Sequence, residues 1–185
     1  MTDTPAGGAK NGLVFWTAAV SVVALDVVTK LLAVQYLKPA RVPHRIIGNV
    51  VRFTLAFNPG AAFSMSVGDK SRYFFGGLAI AALVVLWRLY RTSKGGDWVR
   101  VGALGLAWGG AAGNLIDRFR GARGVVDFID IGVGDVRFWT FNVADSAVTI
   151  GALTLAFVLW REDREQLAIA AGEAAMRDEA SSGAR

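Results

Sequence analysis

Two aspartates in apolar surroundings could act together as an acid and a base. Asp127 lies within the apolar run 125–129, and Asp145 lies eighteen residues further on, at the start of another apolar stretch. An ionisable side chain costs about 2.5–3.5 kcal/mol at the centre of a spanning helix, so it marks a candidate functional site. Two neighbouring carboxyls cannot both ionise cheaply, so such a pair would hold one proton. One carboxyl could then activate water while the other protonates a leaving group.

Two other roles remain open for the same carboxyls. They could form a proton or cation relay in a small transporter, or they could cap helix ends. The chain contains no cysteine and one histidine, His44, which excludes thiolate nucleophiles, disulfides, cysteine zinc sites and HExxH metal sites. We therefore predict chemistry that uses no metal and no cofactor.

The composition is that of an integral membrane protein. Hydrophobic residues make up 54% of the 185 residues, and the mean hydropathy is +0.42, whereas soluble domains are about 45–50% apolar even with glycine counted. The net charge of +5 is a modest excess. It suits contact with lipid headgroups, and we predict no nucleic-acid partner.

Four apolar stretches are long enough to cross a bilayer, which takes about 20 helical residues. They are 13–37, 73–90, 99–116 and 141–160. Four spans place the tails 1–12 and 161–185 on one side with the short basic loop, and the longer segments 38–72 and 118–140 on the other. The first connection contains a run of β-branched and aromatic residues, 50–57, which predicts strands. Counting Lys and Arg leaves the orientation open.

Further polar residues lie near the predicted span ends. Asp26 and Lys30 are four residues apart, so they can pair on one helix face. We favour an ion pair that neutralises two charges in lipid over a charge support beneath a site. A turn at Pro59-Gly60 would orient the side chain of Asn58. Asn58 could then bind a peptide backbone, or it could belong to an ordinary polar loop.

The third span ends in a polar block. Upstream of it, Gly105, Gly109 and Gly113 recur every four residues, which permits close helix packing. Arg118 could clamp a phosphate or a carboxylate, or reach toward headgroups. Asp117 is a candidate partner for Arg118.

Five ordered blocks together resemble the lipoprotein signal peptidase (signal peptidase II) family. They cover roughly residues 13–160 and occur in the family's order on a four-span chain. The blocks are Asp26 with Lys30; Asn58-Pro59-Gly60-Ala61-Ala62-Phe63; Gly113-Asn114 with Asp117-Arg118; Val125-Val126-Asp127-Phe128; and Phe141-Asn142 with Ala144-Asp145.

The resemblance implies a mainly α integral membrane fold. It would have four transmembrane helices, a small extracytoplasmic β-sheet cradle in the first connection and a membrane-surface helical segment in the second. The tails would be cytoplasmic, the active site would lie at the extracytoplasmic face of the bacterial inner membrane, and we expect a monomer among membrane lipids.

The implied activity is that of an aspartyl endopeptidase. It would cut diacylglyceryl-modified prolipoproteins on the amino side of the lipid-modified cysteine, with no cofactor. Asp127 and Asp145 would be the catalytic pair. The residues that would bind or support the substrate are Asn58, Gly60, Asn114, Asp117, Arg118, Asn142, Asp26 and Lys30.

Asp117 competes with Asp127 for the role of partner to Asp145. We favour Asp127 because the adjacent Arg118 would keep the Asp117 carboxyl ionised and therefore poorly suited to share a proton. A hydrogen bond between Asp117 and Asp145 would contradict this preference.

Overall fold

The computed structural model describes residues 5–59, 71–121 and 123–183 as a helical bundle with a small sheet at one end. The elements in the described residues are α1 (Pro5–Tyr36), β1 (Pro43–Ile47), β2 (Val51–Asn58), α2 (Ser71–Arg91), α3 (Trp98–Arg120), β3 (Val125–Val133), β4 (Val136–Arg137) and α4 (Val143–Gly183).

Helix α3 lies at the centre of the bundle and contacts each of the other three helices. Its glycines make this possible. A Cβ at Gly105 would lie 2.6 Å from the carbonyl oxygen of Phe15, and one at Gly109 would lie equally close to that of Ala19. On another side, a Cβ at Gly110 would collide with the Ala144 carbonyl of α4. The glycine stripe is therefore a packing device, as its four-residue spacing predicts.

Three of the four predicted spans form helices that are long and apolar enough to cross a membrane. These are Gly8–Tyr36, Ser71–Arg91 and Val143–Ala174. Helix α3 (Trp98–Arg120) forms at the predicted span 99–116 and is long enough to cross a bilayer, but it is less apolar than the other three helices. Five glycines and four charged residues lower its hydropathy, and its central position means that protein, rather than lipid, covers much of its surface.

The sheet is antiparallel, in the order β1-β2-β3-β4. Strand β2 confirms the prediction for residues 50–57. The second connection, however, contains β3 and β4 among its described residues, so the prediction of a membrane-surface helix in this connection was wrong. Residues 125–133 are rich in valine and isoleucine, which favour strands, and they pair with β2 along most of their length.

A β-bulge lies beside Asp127. Phe53 pairs with Ile129 and Ala56 pairs with Asp127, so two residues of β2 lie opposite Phe128 alone. Bulges twist a strand locally and re-aim its side chains. Leu55 of the bulge packs with Phe128 and with Ala33 of α1. This small core attaches the sheet to the bundle and fixes the height of Asp127 above α1.

The helical ends extend beyond the predicted spans. Helix α1 begins at Pro5 rather than near residue 13, so the predicted tail 1–12 is helical from residue 5 on. Asn11 anchors this part of α1, because its buried amide donates to the Lys94 carbonyl (2.8 Å) and accepts from the Gly96 N–H (3.2 Å) in the α2–α3 loop. Helix α4 continues through the charged region after Trp160, as far as Gly183.

Gly124 is a position where we expect a side chain to be strongly destabilising. Its φ is +92°, and a Cβ would collide with the Asn58 carbonyl. We predict that Gly124→Ala lowers stability by about 3 kcal/mol or more, because overpacking adds to the cost of left-handed backbone. Gly134 is the matched control, with a φ of +58° and nothing within 4 Å of a Cβ. Thermal unfolding of the two alanine variants should separate them, and equal losses would contradict the close approach of Gly124 to β2.

Candidate active site

Asp127 projects from β3 toward the start of α4 and is almost completely buried, at 4% exposure. Its Oδ1 accepts a hydrogen bond from Asn142 Nδ2 at 2.7 Å. The Asn58 side chain also hydrogen-bonds to this carboxylate. Asn58 reaches it because β2 and β3 are paired, with Asn58 opposite Val125 and Ala56 opposite Asp127. Two asparagine amides therefore hold one carboxyl in a fixed position.

Asp145 lies in the first turn of α4 and takes part in a reciprocal cap. The Asp145 N–H donates to Asn142 Oδ1 at 2.9 Å, and the Asn142 N–H donates to Asp145 Oδ2 at 3.2 Å. This is the pattern of a capping box, which satisfies otherwise unpaired donors at a helix start. The capping role considered for Asp145 is therefore real. It leaves Oδ1 available for other partners.

Asn114 of α3 occupies the centre of the polar network. Its Nδ2 donates to Asp145 Oδ1 at 2.7 Å. Its Oδ1 accepts from Asn142 Nδ2 at 3.1 Å and from Lys30 Nζ at 2.9 Å. Asn142, which is fully buried, thus contacts Asp127, Asn114 and Asp145 and bridges the two aspartates.

Asp26 and Lys30 form an ion pair and also support the site, so the two hypotheses for them are not exclusive. Lys30 Nζ lies 2.7 Å from Asp26 and 2.9 Å from Asp117. Asp26 also accepts the Ala144 N–H at 2.9 Å, which joins α1 to the first turn of α4. Lys30 donates to Asn114 and so connects the ion pairs to the network around Asp145.

Asp117 has partners other than Asp145. It pairs with Lys30 and accepts the Val126 N–H at 3.1 Å. Within the described residues it makes no hydrogen bond to Asp145. Asp117 thus ties the end of α3 to β3, at the residue next to Asp127.

Arg118 provides positive charge beside both aspartates. Its Nη1 donates to the Asn114 carbonyl at 2.9 Å, and its guanidinium is attracted to the carboxylates of Asp145, Asp127 and Asp117. Arg118 is only partly buried. It can therefore offset negative charge that develops near the two aspartates.

The surroundings of Asp127 favour its protonated form. The pKa of Asp127 is raised to about 7, mainly by burial and next by the nearby charge of Asp145, while hydrogen bonds from Asn142 and Asn58 and the Lys30 charge act in the opposite direction. A carboxyl with a pKa near neutral can both accept and donate a proton at physiological pH. This is the property expected of one member of a proton-sharing pair.

The structure therefore brings together nine of the ten residues singled out in the sequence. They are Asn58, Asn114, Asp117, Arg118, Asn142, Asp26, Lys30, Asp127 and Asp145. Gly60 lies outside the described residues. Among the described residues, no group of three or more His, Cys, Asp or Glu side chains could hold a metal ion.

A second polar cluster, around Asp130, was missed in the sequence. Asp130 is paired with Arg137 (2.7 Å), lies 3.6 Å from Arg52 and accepts a hydrogen bond from Thr54 (3.0 Å). These contacts cross three strands and fix the sheet that carries Asp127. The available signal was a carboxylate between Ile129 and Ile131, the same pattern that singled out Asp127.

Comparison with known proteins identifies the family. The family model of signal peptidase (SPase) II matches residues 18–161, which include every described residue of the network. The chain belongs to the signal peptidase II family. Signal peptidase II proteins are peptidases, and the transporter considered as an alternative has no support from this result.

Two relatives illustrate the similarity. The lipoprotein signal peptidase of Rhodococcus jostii is 39% identical over 166 residues, covering 83% of this chain and 79% of the relative. The lipoprotein signal peptidase of Mycobacterium avium is 45% identical over 148 residues, covering 75% of this chain and 74% of the relative.

The fold of this signal peptidase II chain is similar to solved structures of bacterial membrane enzymes. One has a TM-score of 0.71 at 29% identity and covers 84% of this chain and 90% of its own. Another has a TM-score of 0.69 at 32% identity, covering 82% and 92%. The expected mainly α membrane fold with a small antiparallel sheet is confirmed.

Proposed function

We propose that this signal peptidase II is an aspartyl endopeptidase that removes signal peptides from diacylglyceryl-modified prolipoproteins, with Asp127 and Asp145 as the catalytic pair. The observation that carries the proposal is the Asn142 bridge between two carboxyls. One of them is buried with a pKa raised to about 7 by burial and by its partner. Family membership supports the substrate class.

The geometry suits hydrolysis by a water molecule activated between the two carboxyls. Asp145 accepts hydrogen bonds from the Asn114 amide and the Asn142 N–H and lies near the Arg118 charge, so it is placed to take a proton from the attacking water. Asp127, protonated, donates to the scissile carbonyl oxygen. Collapse of the resulting intermediate then breaks the C–N bond, as Asp145 passes the proton taken from water to the leaving nitrogen and Asp127 recovers a proton from a hydroxyl of the intermediate.

The amides around the pair have two tasks. Asn142 and Asn114 fix the direction of each carboxyl, because each bridges two or more polar groups. Asn58 lies at the end of β2, beside Asp127 and at the edge of the described residues. It is placed to replace hydrogen bonds that a substrate backbone loses on leaving water. Arg118 offsets the negative charge that the aspartate pair carries when Asp127 gives up its proton.

The height of the site matches a lipid-anchored substrate. Asp127 and Asp145 lie where the sheet meets the ends of apolar helices, and we assign this end of the bundle to the level of the headgroups. A diacylglyceryl group on the cysteine would hold the adjacent peptide bond at this level. We assign the sheet end to the extracytoplasmic face of the bacterial inner membrane, with the termini cytoplasmic and the protein acting as a monomer.

Cleavage should fall as the pH rises through about 7. Below this value Asp127 keeps its proton, while above it Asp127 is ionised and the acid is lost. The rate should therefore decrease about tenfold per pH unit on the alkaline side. The measurement is the initial rate of cleavage of a diacylglyceryl-modified prolipoprotein peptide by the purified protein from pH 6 to about 9.

The same peptide with an unmodified cysteine is the control. It should be cut far more slowly at every pH, since nothing holds it at the membrane level. A rate that stays constant or rises across this range would contradict the role of Asp127 as acid. Equal cleavage of both peptides would contradict the substrate class.

A further inference from the structure

A groove between α1 and α3 lies beside the catalytic network and shares only Lys30 and Asp117 with it. It has a polar mouth at the sheet end and an apolar part further along the helices, and Val27 lines both parts. The lining includes none of Asp127, Asp145, Asn114 or Asn142. At β3 it is Val126 that faces the mouth. Successive side chains of a strand point to opposite faces, so Asp127 is directed away from the groove.

The apolar part has the dimensions of an acyl chain in one leaflet. Its volume is about 530 Å³, and every lining residue is apolar. On α1 it extends from Ala19 to Val28, and on α3 from Trp108 to Ile116. At 1.5 Å per residue, the α1 segment is about 14 Å long, close to half of the roughly 30 Å hydrocarbon core. The groove therefore reaches from the membrane face to about the bilayer centre.

The mouth carries an excess of positive charge. It has a volume of about 220 Å³, and its charged lining residues are Lys30, Asp117, Arg120 and Arg123. Asp117 is already neutralised by Lys30. Arg120 and Arg123 are exposed, and neither forms an ion pair with a carboxylate in the part of the chain that the structure describes.

Arg123 is fixed at the mouth by an aromatic ring. Its guanidinium lies over the Phe57 ring at 4.2 Å from the centroid, a cation–π contact that positions the charge while leaving its donors free. Arg120 projects from the last turn of α3 on the other rim. Two guanidinium groups thus flank the entrance to an apolar groove, and arginine donors match phosphate oxygens well.

We propose that this groove binds one anionic membrane phospholipid, with its phosphate between Arg120 and Arg123 and an acyl chain along α1 and α3. Charge complementarity selects this occupant. The diacylglyceryl group of a prolipoprotein has acyl chains but no charge, so it would leave both arginines unused. A zwitterionic lipid would bring a cation to a mouth that already has two cations, neither of which has a carboxylate partner among the described residues. The inference concerns binding and does not depend on the catalytic assignment.

Trp108 offers a direct probe because it lines the apolar part. The full-length protein is placed in phosphatidylcholine vesicles that contain a low mole fraction of phosphatidylglycerol brominated in mid-chain, and quenching of tryptophan fluorescence is recorded. The Trp108 contribution is the difference between the parent and Trp108→Phe. Brominated phosphatidylcholine at the same mole fraction is the reference lipid.

We expect the anionic lipid to bind at Trp108 at least about tenfold more tightly than the zwitterionic one, since each basic residue contributes severalfold. The double variant Arg120→Gln/Arg123→Gln should lose this preference. Arg45→Gln/Arg72→Gln, with the same change of charge at exposed and partly buried positions outside the groove, should keep it.

Three results would overturn the proposal. The first is equal quenching by both lipids in the parent. The second is an unchanged preference in Arg120→Gln/Arg123→Gln while that variant retains the thermal stability of the parent. The third is displacement of the brominated phosphatidylglycerol by a diacylglyceryl-modified peptide, which would assign the groove to substrate. Loss of the preference in the first double variant alone supports the proposal.

Discussion

Replacing Asp127 by asparagine should abolish cleavage while leaving the protein folded. We expect the rate to fall by at least about 10³-fold, because a general acid contributes about 10²–10⁴-fold and the partner carboxylate would lose its shared proton as well. The fold should survive because asparagine has the same shape and its carbonyl oxygen can still accept the bond from Asn142 Nδ2. The measurements are the cleavage rate of a diacylglyceryl-modified prolipoprotein peptide and the melting temperature.

The melting temperature should show a second, pH-dependent effect. Burial and the charge of Asp145 raise the pKa of Asp127 to about 7, above the ordinary value of 3.8. The folded state then holds a proton that the unfolded chain releases. Stability contributed by Asp127 is therefore present at low pH and is lost as the pH rises toward about 7. Asp127→Asn removes this loss, so at pH 8 the variant should melt at or above the temperature of the parent.

Asp135→Asn is the matched control for the same chemical change. Asp135 is exposed in the β3–β4 turn, so its replacement should change neither the rate nor the pH dependence of melting. Full activity of Asp127→Asn would contradict its role as acid. A large loss of stability at pH 8 would contradict the burial of an uncompensated negative charge at this position.

Lys30→Met should cause the largest loss of stability. Lys30 is 3% exposed and its partner Asp26 is fully buried, and the same ammonium group also pairs with Asp117. Removing one partner of a buried ion pair costs about 3–5 kcal/mol, because it leaves charge buried without compensation. Cleavage should also decrease, since Lys30 donates to Asn114, which orients Asp145. Thermal unfolding of the purified protein measures the stability effect.

Two further variants separate charge from packing. Lys94→Met removes a lysine that is exposed in the α2–α3 loop and should have little effect. The double variant Asp26→Asn/Lys30→Met should recover part of the lost stability, because one uncompensated carboxylate is removed with the lysine. A double variant no more stable than Lys30→Met would show that packing, rather than charge, accounts for the loss.

The elements that depend on local pattern could be predicted from the sequence. Strand β2 follows from a run of β-branched and aromatic residues, and the apolar helices follow from length and hydropathy. Strand β3 carries the same local signal, but the resemblance to a family suggested a surface helix instead. The early start of α1 could not be predicted, because the hydrogen bonds that anchor it join Asn11 to a loop more than eighty residues away.

The members of the site could be predicted, but not the contacts between them. Topology places the end of α3, the start of α4 and the strands at one end of the bundle, so their polar residues converge. The bridge from Asn142, the residue before α4, to Asp127 of β3 and Asn114 of α3 joins residues 15 and 28 positions apart. Sequence spacing does not encode such contacts. The choice between Asp117 and Asp127 as the partner of Asp145 likewise needed the structure, because the structure shows that Asp117 pairs with Lys30.

The most direct test of the catalytic pair is a product analysis with Asp145→Asn. A diacylglyceryl-modified prolipoprotein peptide is incubated separately with the purified parent, with Asp145→Asn and with Asp135→Asn. The masses of the products are then determined by mass spectrometry. We predict that the parent and Asp135→Asn release a signal peptide and leave the lipid-modified cysteine as the new amino terminus, whereas folded Asp145→Asn releases neither product. Cleavage at the same bond and at the parent rate by Asp145→Asn would contradict an aspartyl mechanism at this site.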